Sequence, residues 1–243
     1  MSSWAPAPLR RLALTLVALV ALVIPSVATL WVLTPSTADV QQRVQERTDT
    51  LGVVMLREDE VPKVLAQAVV ATEDESFYSH HGIDSIGLGR ALLYDVSNIC
   101  ACQGGSTITE QLAKDIYLGG SDRGYNKPED LVLALKIEQV IGKRQILADY
   151  LSVIPTGVNR YGVSAASCVY FHAPLTSLTL GQYALLAGVT QAPSLYDPTV
   201  DPAAAVARRS HVLSAMVADG MISRNQAVAA NSEPALAPSG PGC

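Results

Sequence analysis

The chain has 243 residues, 49% hydrophobic and 16% charged, with a mean hydropathy of +0.25. It is too apolar to stay disordered and long enough for one substantial domain beside shorter terminal segments. A formal net charge of -5 gives no electrostatic basis for a nucleic-acid partner, and four cysteines are too few for a small scaffold held by disulfides.

Arg10 and Arg11 precede an uncharged run from Leu12 to Leu33, and about 20 such residues cross a hydrocarbon core. The positive-inside rule keeps these arginines in the cytoplasm. Residues 1–11 are therefore expected to be cytoplasmic and 12–34 to form a single transmembrane signal anchor. The rest would lie outside the cytoplasmic membrane. A cleaved signal peptide competes with this reading, because Ser36-Thr37-Ala38 offers small residues to a peptidase. The run exceeds the ~7–15 residues of a signal core, which favours the anchor, and a membrane helix tolerates Pro25.

Residues 35–54 are polar, with Arg43, Glu46, Arg47 and Asp49, and read as a stalk into a domain spanning 55–231. After Pro62, KVLAQAVVATED has helical spacing and ends in Glu73-Asp74. Acids at a helix C-terminus are unfavourable by about 0.3–1 kcal/mol, which suggests a chemical reason for keeping them. A stretch rich in turn formers leads to Gly104-Gly105-Ser106, and TITEQLAKDIYL follows as a helix with capping-box spacing at Thr107 and Glu110. Further helices are predicted in EDLVLALKIEQVI, in KRQILADYL, and over 179–189, 202–219 and 223–230. No long alternating strand is evident, and the tail 232–243 reads as disordered.

The segment EDESFYSHHGID, 73 to 84, resembles the first motif of the peptidoglycan glycosyltransferases. That family comprises monofunctional transglycosylases and the transglycosylase domains of class A penicillin-binding proteins. Glu73, Asp74, Phe77, His80, Gly82 and Asp84 match it. GGSTITEQLAK, 104 to 114, resembles the second motif, with Glu110 where the family usually has glutamine. KRQILADYL, GVNRYGVSAASCVYF, LTLGQYALLAGVTQAPSLYDP and ARRSHVL keep the register without a gap. The third motif departs most: the family's arginine, lysine and second glutamate fall on Asn126, Lys127 and Asp130. In the fourth, Lys143 and Tyr150 remain, while a glutamate and an asparagine become Ala148 and Ser152.

The resemblance implies a mostly α, lysozyme-like, two-lobed helical domain behind the transmembrane helix, with a cleft opening near the membrane. Without a β-lactam-binding domain after it, the enzyme would be monofunctional. It implies an inverting transfer that polymerises lipid II into β-1,4 glycan strands and releases undecaprenyl pyrophosphate. Glu73 and Asp130 are the expected catalytic acids. Asp74, Phe77, His80, Gly104, Gly105, Ser106, Thr107, Gln111, Lys114, Lys127 and Lys143 are the expected substrate-binding residues. Partners would be lipid II, the growing strand, membrane lipid and other cell-wall synthesis proteins, with Mg or Mn as a divalent cofactor.

Physical reading runs alongside. An aromatic ring one turn beyond Glu73 would raise the carboxyl pKa, as a general base near neutral pH requires; a helix-end acid paired with an arginine is the plain alternative. Amides behind Gly104-Gly105, with Lys114, would suit an anion, although Thr107 as a cap and Glu110 with Lys114 as a surface pair explain the same residues. Asp130 draws its charge back by about one methylene, and ~1 Å of misplacement can cost ~100-fold in rate; Pro128, Glu129 and Asp130 also suit an ordinary first helical turn. These losses motivate a non-catalytic scaffold that binds lipid II or a synthase. A lytic enzyme using Glu73 as an acid shares the architecture without the other motifs. His80, His81, Cys100 and Cys102 fit no standard zinc spacing, and a disulfide between Cys168 and either Cys100 or Cys102 is preferred, the pairing being open.

Overall fold

The structure is a computed structural model that describes residues 7–98, 105–119, 127–157 and 159–238. Its regular elements are almost all helical: α1 (Ala7–Leu33), α2 (Val40–Leu51), α3 (Lys63–Glu73), α4 (Ser85–Asn98), α5 (Ile108–Tyr117), α6 (Lys127–Val140) and α7 (Lys143–Val153) come first. A short antiparallel pair follows, β1 (Pro155–Gly157) with β2 (Arg160–Tyr161), and then α8 (Val163–Phe171), α9 (Leu180–Val189), α10 (Pro202–Ala218) and α11 (Arg224–Asn231).

The core has two helical groups. In one, α9 packs against α3 and α10; in the other, α5 packs against α6 and α7. The α9 sequence LGQYALLAGV buries residues on every side, and its small residues allow close neighbours. A Cβ on Gly188 would come within 2.9 Å of Arg208 Cγ, so glycine there lets α10 lay an arginine along α9. The fully buried side chains Leu65, Phe77, Ile108, Leu112, Ile137, Tyr150 and Leu151 belong to the same apolar cluster.

The predicted helices in the domain all form, with ends shifted by a residue or two. Thr107 caps α5 by accepting from the Glu110 amide at 3.1 Å, but the Glu110 carboxylate turns to Lys127 instead of closing the box. Three helices were not foreseen. The segment read as a stalk carries α2, whose Val40, Val44 and Thr48 are buried against α5 and α7. Its apolar positions recur every fourth residue within a polar sequence, so the periodicity is thin but sufficient. In the turn-rich stretch, Asp84 Oδ1 accepts from the Ile86 and Gly87 amides at 3.1 and 2.8 Å and starts α4. The third, α8, is too short for a strong periodic signal.

The tail expected to be disordered is ordered as far as it is described. Arg209 is 1% exposed, and a buried guanidinium requires acceptors. It donates to the carbonyls of Asn231 (2.7 Å), Glu233 (2.6 Å) and Pro234 (3.2 Å), while Ala237 N donates to Tyr170 O at 3.0 Å. Cys168 is disulfide-bonded; Cys100, Cys102 and Cys243 lie outside the described residues.

α1 is 27 residues long, about 40 Å at 1.5 Å per residue. Among the described residues no helix is long and apolar enough to cross a membrane; the side chains of Leu12, Ala13, Leu16 and Val20, all in the uncharged run, are not among those described. The C-terminal end of α1 is fastened to α6. Lys136 Nζ donates to the carbonyls of Trp31 (2.8 Å), Thr34 (2.8 Å) and Pro35 (3.2 Å) and lies 5.2 Å from the Trp31 ring centroid, satisfying carbonyls that a helix end leaves open.

Asp149 joins α2 to α7. It is fully buried and accepts from the neutral amides of Gln41 (2.6 Å) and Gln145 (2.7 Å). Burial pushes its carboxyl up to about 6, with the two amides pulling the other way. The folded protein thus keeps a proton that the unfolded chain releases near pH 4, so this group's contribution to stability falls as pH rises from about 4 to about 6 and then levels off. Asp149→Asn is expected to gain about 1–3 kcal/mol over wild type near pH 8 and little near pH 4, read by denaturant unfolding at both values. A variant less stable than wild type at the higher pH would contradict this account.

Candidate active site

Glu73 ends α3, and its side chain is 8% exposed. Two groups reach it, each at 3.4 Å: Gln111 Nε2 from α5 and Arg208 Nη2 from α10. Both contacts exceed the ordinary 2.7–3.2 Å of a strong hydrogen bond, so the carboxylate is attended without being locked. The buried Tyr150 hydroxyl donates to Gln111 Oε1 at 3.0 Å, which turns the amide's donor side toward Glu73. Burial pushes the Glu73 carboxyl up; Arg208 and Gln111 oppose that, and Asp74 adds to it. Glu73 opens on a cleft of about 170 Å³ shared with Glu75, Asp84, Arg90, Ser106 and Thr107.

Asp74 works differently. It accepts from the Ile108 amide at 3.0 Å, anchoring the start of α5, and both its oxygens lie 3.0 Å from His80 Nε2. His80 Nδ1 meets Lys143 Nζ at 3.3 Å, a pattern met by an imidazole with its proton on Nε2. Lys143 also donates to Glu138 at 2.6 Å and sits 4.4 Å from the Phe77 ring centroid. Thr109 donates to the same Glu138 oxygen at 2.7 Å. Burial pushes the Asp74 carboxyl up, against the His80 and Ile108 hydrogen bonds. Asp74, Phe77, His80 and Lys143 thereby form an internal brace that ties the turn after α3 to α5 and α7.

A third group lies at the start of α5 and α6. Lys127 Nζ donates to Ser106 Oγ at 2.7 Å and pairs closely with the Glu110 carboxylate. Glu110 is 2% exposed; burial pushes its carboxyl up, Lys127 pulls it down, and Asp130 pushes it up again. Asp130 is thus in the first turn of α6 and within electrostatic reach of Glu110. Thr107 donates to Gly82 O at 2.7 Å as well as accepting from Glu110 N. Gly82 has φ +91 and lies against the Ala134 backbone, where a side chain would collide.

The sequence-predicted site residues therefore fall into separate sets. Glu73 and Gln111 meet at the cleft; Ser106 and Lys127 meet at its rim beside Glu110, with Gly105 and Thr107 also lining the cleft. Asp74 also lines the cleft, and Phe77, His80 and Lys143 brace it. Lys114 is six residues past the start of α5, about 9 Å along the axis, and is not at the helix N-terminus where an anion was expected. Gly104 and Asn126 lie outside the described residues. Arg208 was missed as a site residue: ARRSHVL was matched as a motif, and only the fold shows its first arginine on Glu73 and its second in the core. Glu138 was also missed.

Among the described residues, no group of three or more His, Cys, Asp or Glu side chains could hold a metal ion. Glu110 is engaged by Lys127, so the donor set does not fit a preformed divalent-cation site.

A buried carboxyl of raised proton affinity thus opens on a cleft lined by the Ser106 hydroxyl, to which Lys127 donates. The comparisons give the family. A family model described as Transglycosylase matches residues 39–217, and the chain belongs to that family, which includes the transglycosylase domains of class A penicillin-binding proteins. Penicillin-binding protein 1A of Vibrio cholerae serotype O1 is 40% identical over 183 residues, covering 75% of this chain and 22% of its own length. Penicillin-binding protein 1A of Escherichia coli K12 is 42% identical over 168 residues, 69% of this chain and 20% of its own. Penicillin-binding protein 1F of Bacillus subtilis 168 is 38% identical over 172 residues, 71% and 24% respectively. The chain thus spans about one fifth of the length of these relatives. A crystal structure of Penicillin-Binding Protein 1A from Haemophilus influenzae aligns over 77% of this chain and 18% of that one, at 25% identity and a TM-score of 0.47.

Arg208 lowers the Glu73 carboxyl pKa, so removing it has a fixed sign. In Arg208→Met, carbon-detected NMR titration of the Glu73 carboxyl is expected to show an upward shift. An unmoved or lowered titration would show that the guanidinium does not act on this acid.

Proposed function

We propose that this chain joins lipid II into β-1,4 glycan strands. Glu73 takes the proton from the 4-hydroxyl of the incoming sugar. The freed oxygen attacks the anomeric carbon of the growing strand and inverts it, and the bond to undecaprenyl pyrophosphate breaks, with the electron pair leaving on the diphosphate. The observation that carries the reading is Glu73 itself: buried, raised in proton affinity, and held among the described residues by two contacts of 3.4 Å. Such a carboxylate can accept a proton without first breaking a strong ion pair.

Diphosphate leaves as a stable anion and calls for charge and hydrogen bonds rather than an acid. Lys127 and Ser106 at the rim supply both. Asp130 contributes through the charge around Glu110 and Lys127. All of these residues lie between 73 and 208, so glycosyl transfer is proposed for this segment.

We also place the domain outside the cytoplasmic membrane, with α1 as its anchor. Leu14, Val17, Leu19, Leu22, Ile24 and Val27 on α1 are each more than half exposed, an apolar surface suited to lipid. Arg10 and Arg11 at its start support a cytoplasmic N-terminus. A lipid-linked substrate then reaches the cleft from the same bilayer. The alternative, a scaffold that binds lipid II without joining it, draws support from the Lys127 charge being taken up by Glu110.

Polymerisation of labelled lipid II by the purified full chain separates the two. Wild type is expected to make glycan strands, and Glu73→Gln to lose at least about 100-fold of that rate while still folding. Lipid II binding without polymer in wild type would favour the scaffold, and undiminished synthesis by Glu73→Gln would remove the assigned base.

A further inference from the structure

We infer that Glu110 sets how tightly the cleft holds a diphosphate, by taking up the charge of Lys127. The inference deepens the proposed function and rests on its assignment of a diphosphate leaving group. The N-terminus of α5 is where backbone amides would be expected to hold an anion, yet two of its amides and its capping hydroxyl are already committed. The Ile108 amide is given to Asp74 at 3.0 Å and the Glu110 amide to Thr107 at 3.1 Å, while the Thr107 hydroxyl proton goes to Gly82 O. Beside that N-terminus, the side chains of Lys127 and Ser106 add a charge and a hydroxyl that can hold an anion.

Ser106 Oγ accepts from Lys127 at 2.7 Å, which leaves its own proton to donate to an anionic oxygen. Lys127 is the other donor, and its charge is compromised. Its side chain is 37% exposed and its partner's 2%, so the lysine keeps access to solvent while the carboxylate is buried against it. Asp130 is close enough to act on Glu110 electrostatically.

An incoming diphosphate is then repelled by Glu110 over nearly the distance at which Lys127 attracts it, and the two largely cancel. A growing strand must shed a diphosphate carrier at each addition, so a loosely held anion suits repeated turnover. A competing account makes Glu110 only a mooring for the lysine. Glu110→Gln separates the two, because the amide oxygen still accepts from the ammonium while the negative charge is gone. If charge dominates, binding tightens; if mooring dominates, it stays the same or weakens.

The experiment is calorimetric titration of the full chain in detergent with inorganic pyrophosphate, using wild type, Glu110→Gln, Lys127→Met and the double variant, with thermal unfolding of each as a folding control. Glu110→Gln is expected to bind at least about 10-fold more tightly than wild type, and the gain is expected to vanish once Lys127 is also removed. Glu110→Asp, which keeps the charge, should stay near wild type. In lipid II polymerisation, Glu110→Gln should lower KM and kcat together, as slow release of the leaving group dictates. Unchanged or weaker pyrophosphate binding by a folded Glu110→Gln overturns the inference, as does a gain that survives loss of Lys127. A wild type that makes no polymer, with the Lys127-dependent tightening still present, removes the transfer reading and leaves the anion site standing.

Discussion

A carboxylate that is to act as a base near neutral pH must be drawn out of water far enough to want a proton, yet not bound so firmly to a cation that it cannot take one. The packing at the end of α3 gives Glu73, the proposed base, burial that raises its carboxyl and contacts no shorter than 3.4 Å among the described residues. Desolvation comes from the apolar group of α3, α9 and α10 on one side and α5 on the other. The compensating charge comes from Arg208, which reaches the acid only because Gly188 lets its stem lie flat. Gln111 adds a neutral donor, oriented by a tyrosine hydroxyl that is itself buried. Each supporting group is on a different helix, so the balance is a property of the tertiary fold.

The adjoining acid shows how residues of one short motif divide their work. Glu73 and Asp74 are consecutive and both line the cleft, yet Asp74 is committed to the first amide of α5 and to His80 while Glu73 has only long contacts among the described residues. From Asp74 a continuous set of polar contacts runs through His80 and Lys143 to Glu138 and Thr109. Such a network is stable in a dry interior only when its members satisfy one another. It fixes the turn between α3 and α4, and with it the wall of the cleft facing Ser106. The motif residues Asp74, His80 and Lys143 thus hold the turn after α3 and the start of α5 in register.

Much of this was legible from the chain alone. Apolar spacing and caps located α3, α5, α6, α7, α9, α10 and α11, and the EDESFYSHHGID segment pointed to Glu73. What escaped has physical reasons. α2 buries a narrow stripe of a polar helix, so its composition suggested solvent. α4 contains Gly87 and Gly89 and is started by an Asp84 cap that also belongs to the motif. The final residues read as disordered because their composition is poor in large apolar groups; they are ordered by acceptors that the buried Arg209 requires, and a lone arginine in a helical sequence does not announce such a need. The partnership of Glu110 with Lys127 spans 17 residues and two helices, while local spacing suggested the nearer Lys114. The role of Arg208 likewise depends on a contact 135 residues away.

Lys136 joins the last turn of α1 to the helix that begins with Lys127 and Asp130. With α1 in a bilayer, that joint makes the cleft's pose relative to the lipid surface a mechanical quantity rather than an average over a loose tether. A thicker or thinner hydrocarbon layer changes the preferred tilt of a spanning helix, and a helix pinned at its exit carries that tilt into whatever holds it. Under the proposed function, the start of α6 would then lean with the anchor, and membrane thickness itself would become a control on how squarely a lipid-borne sugar meets Glu73.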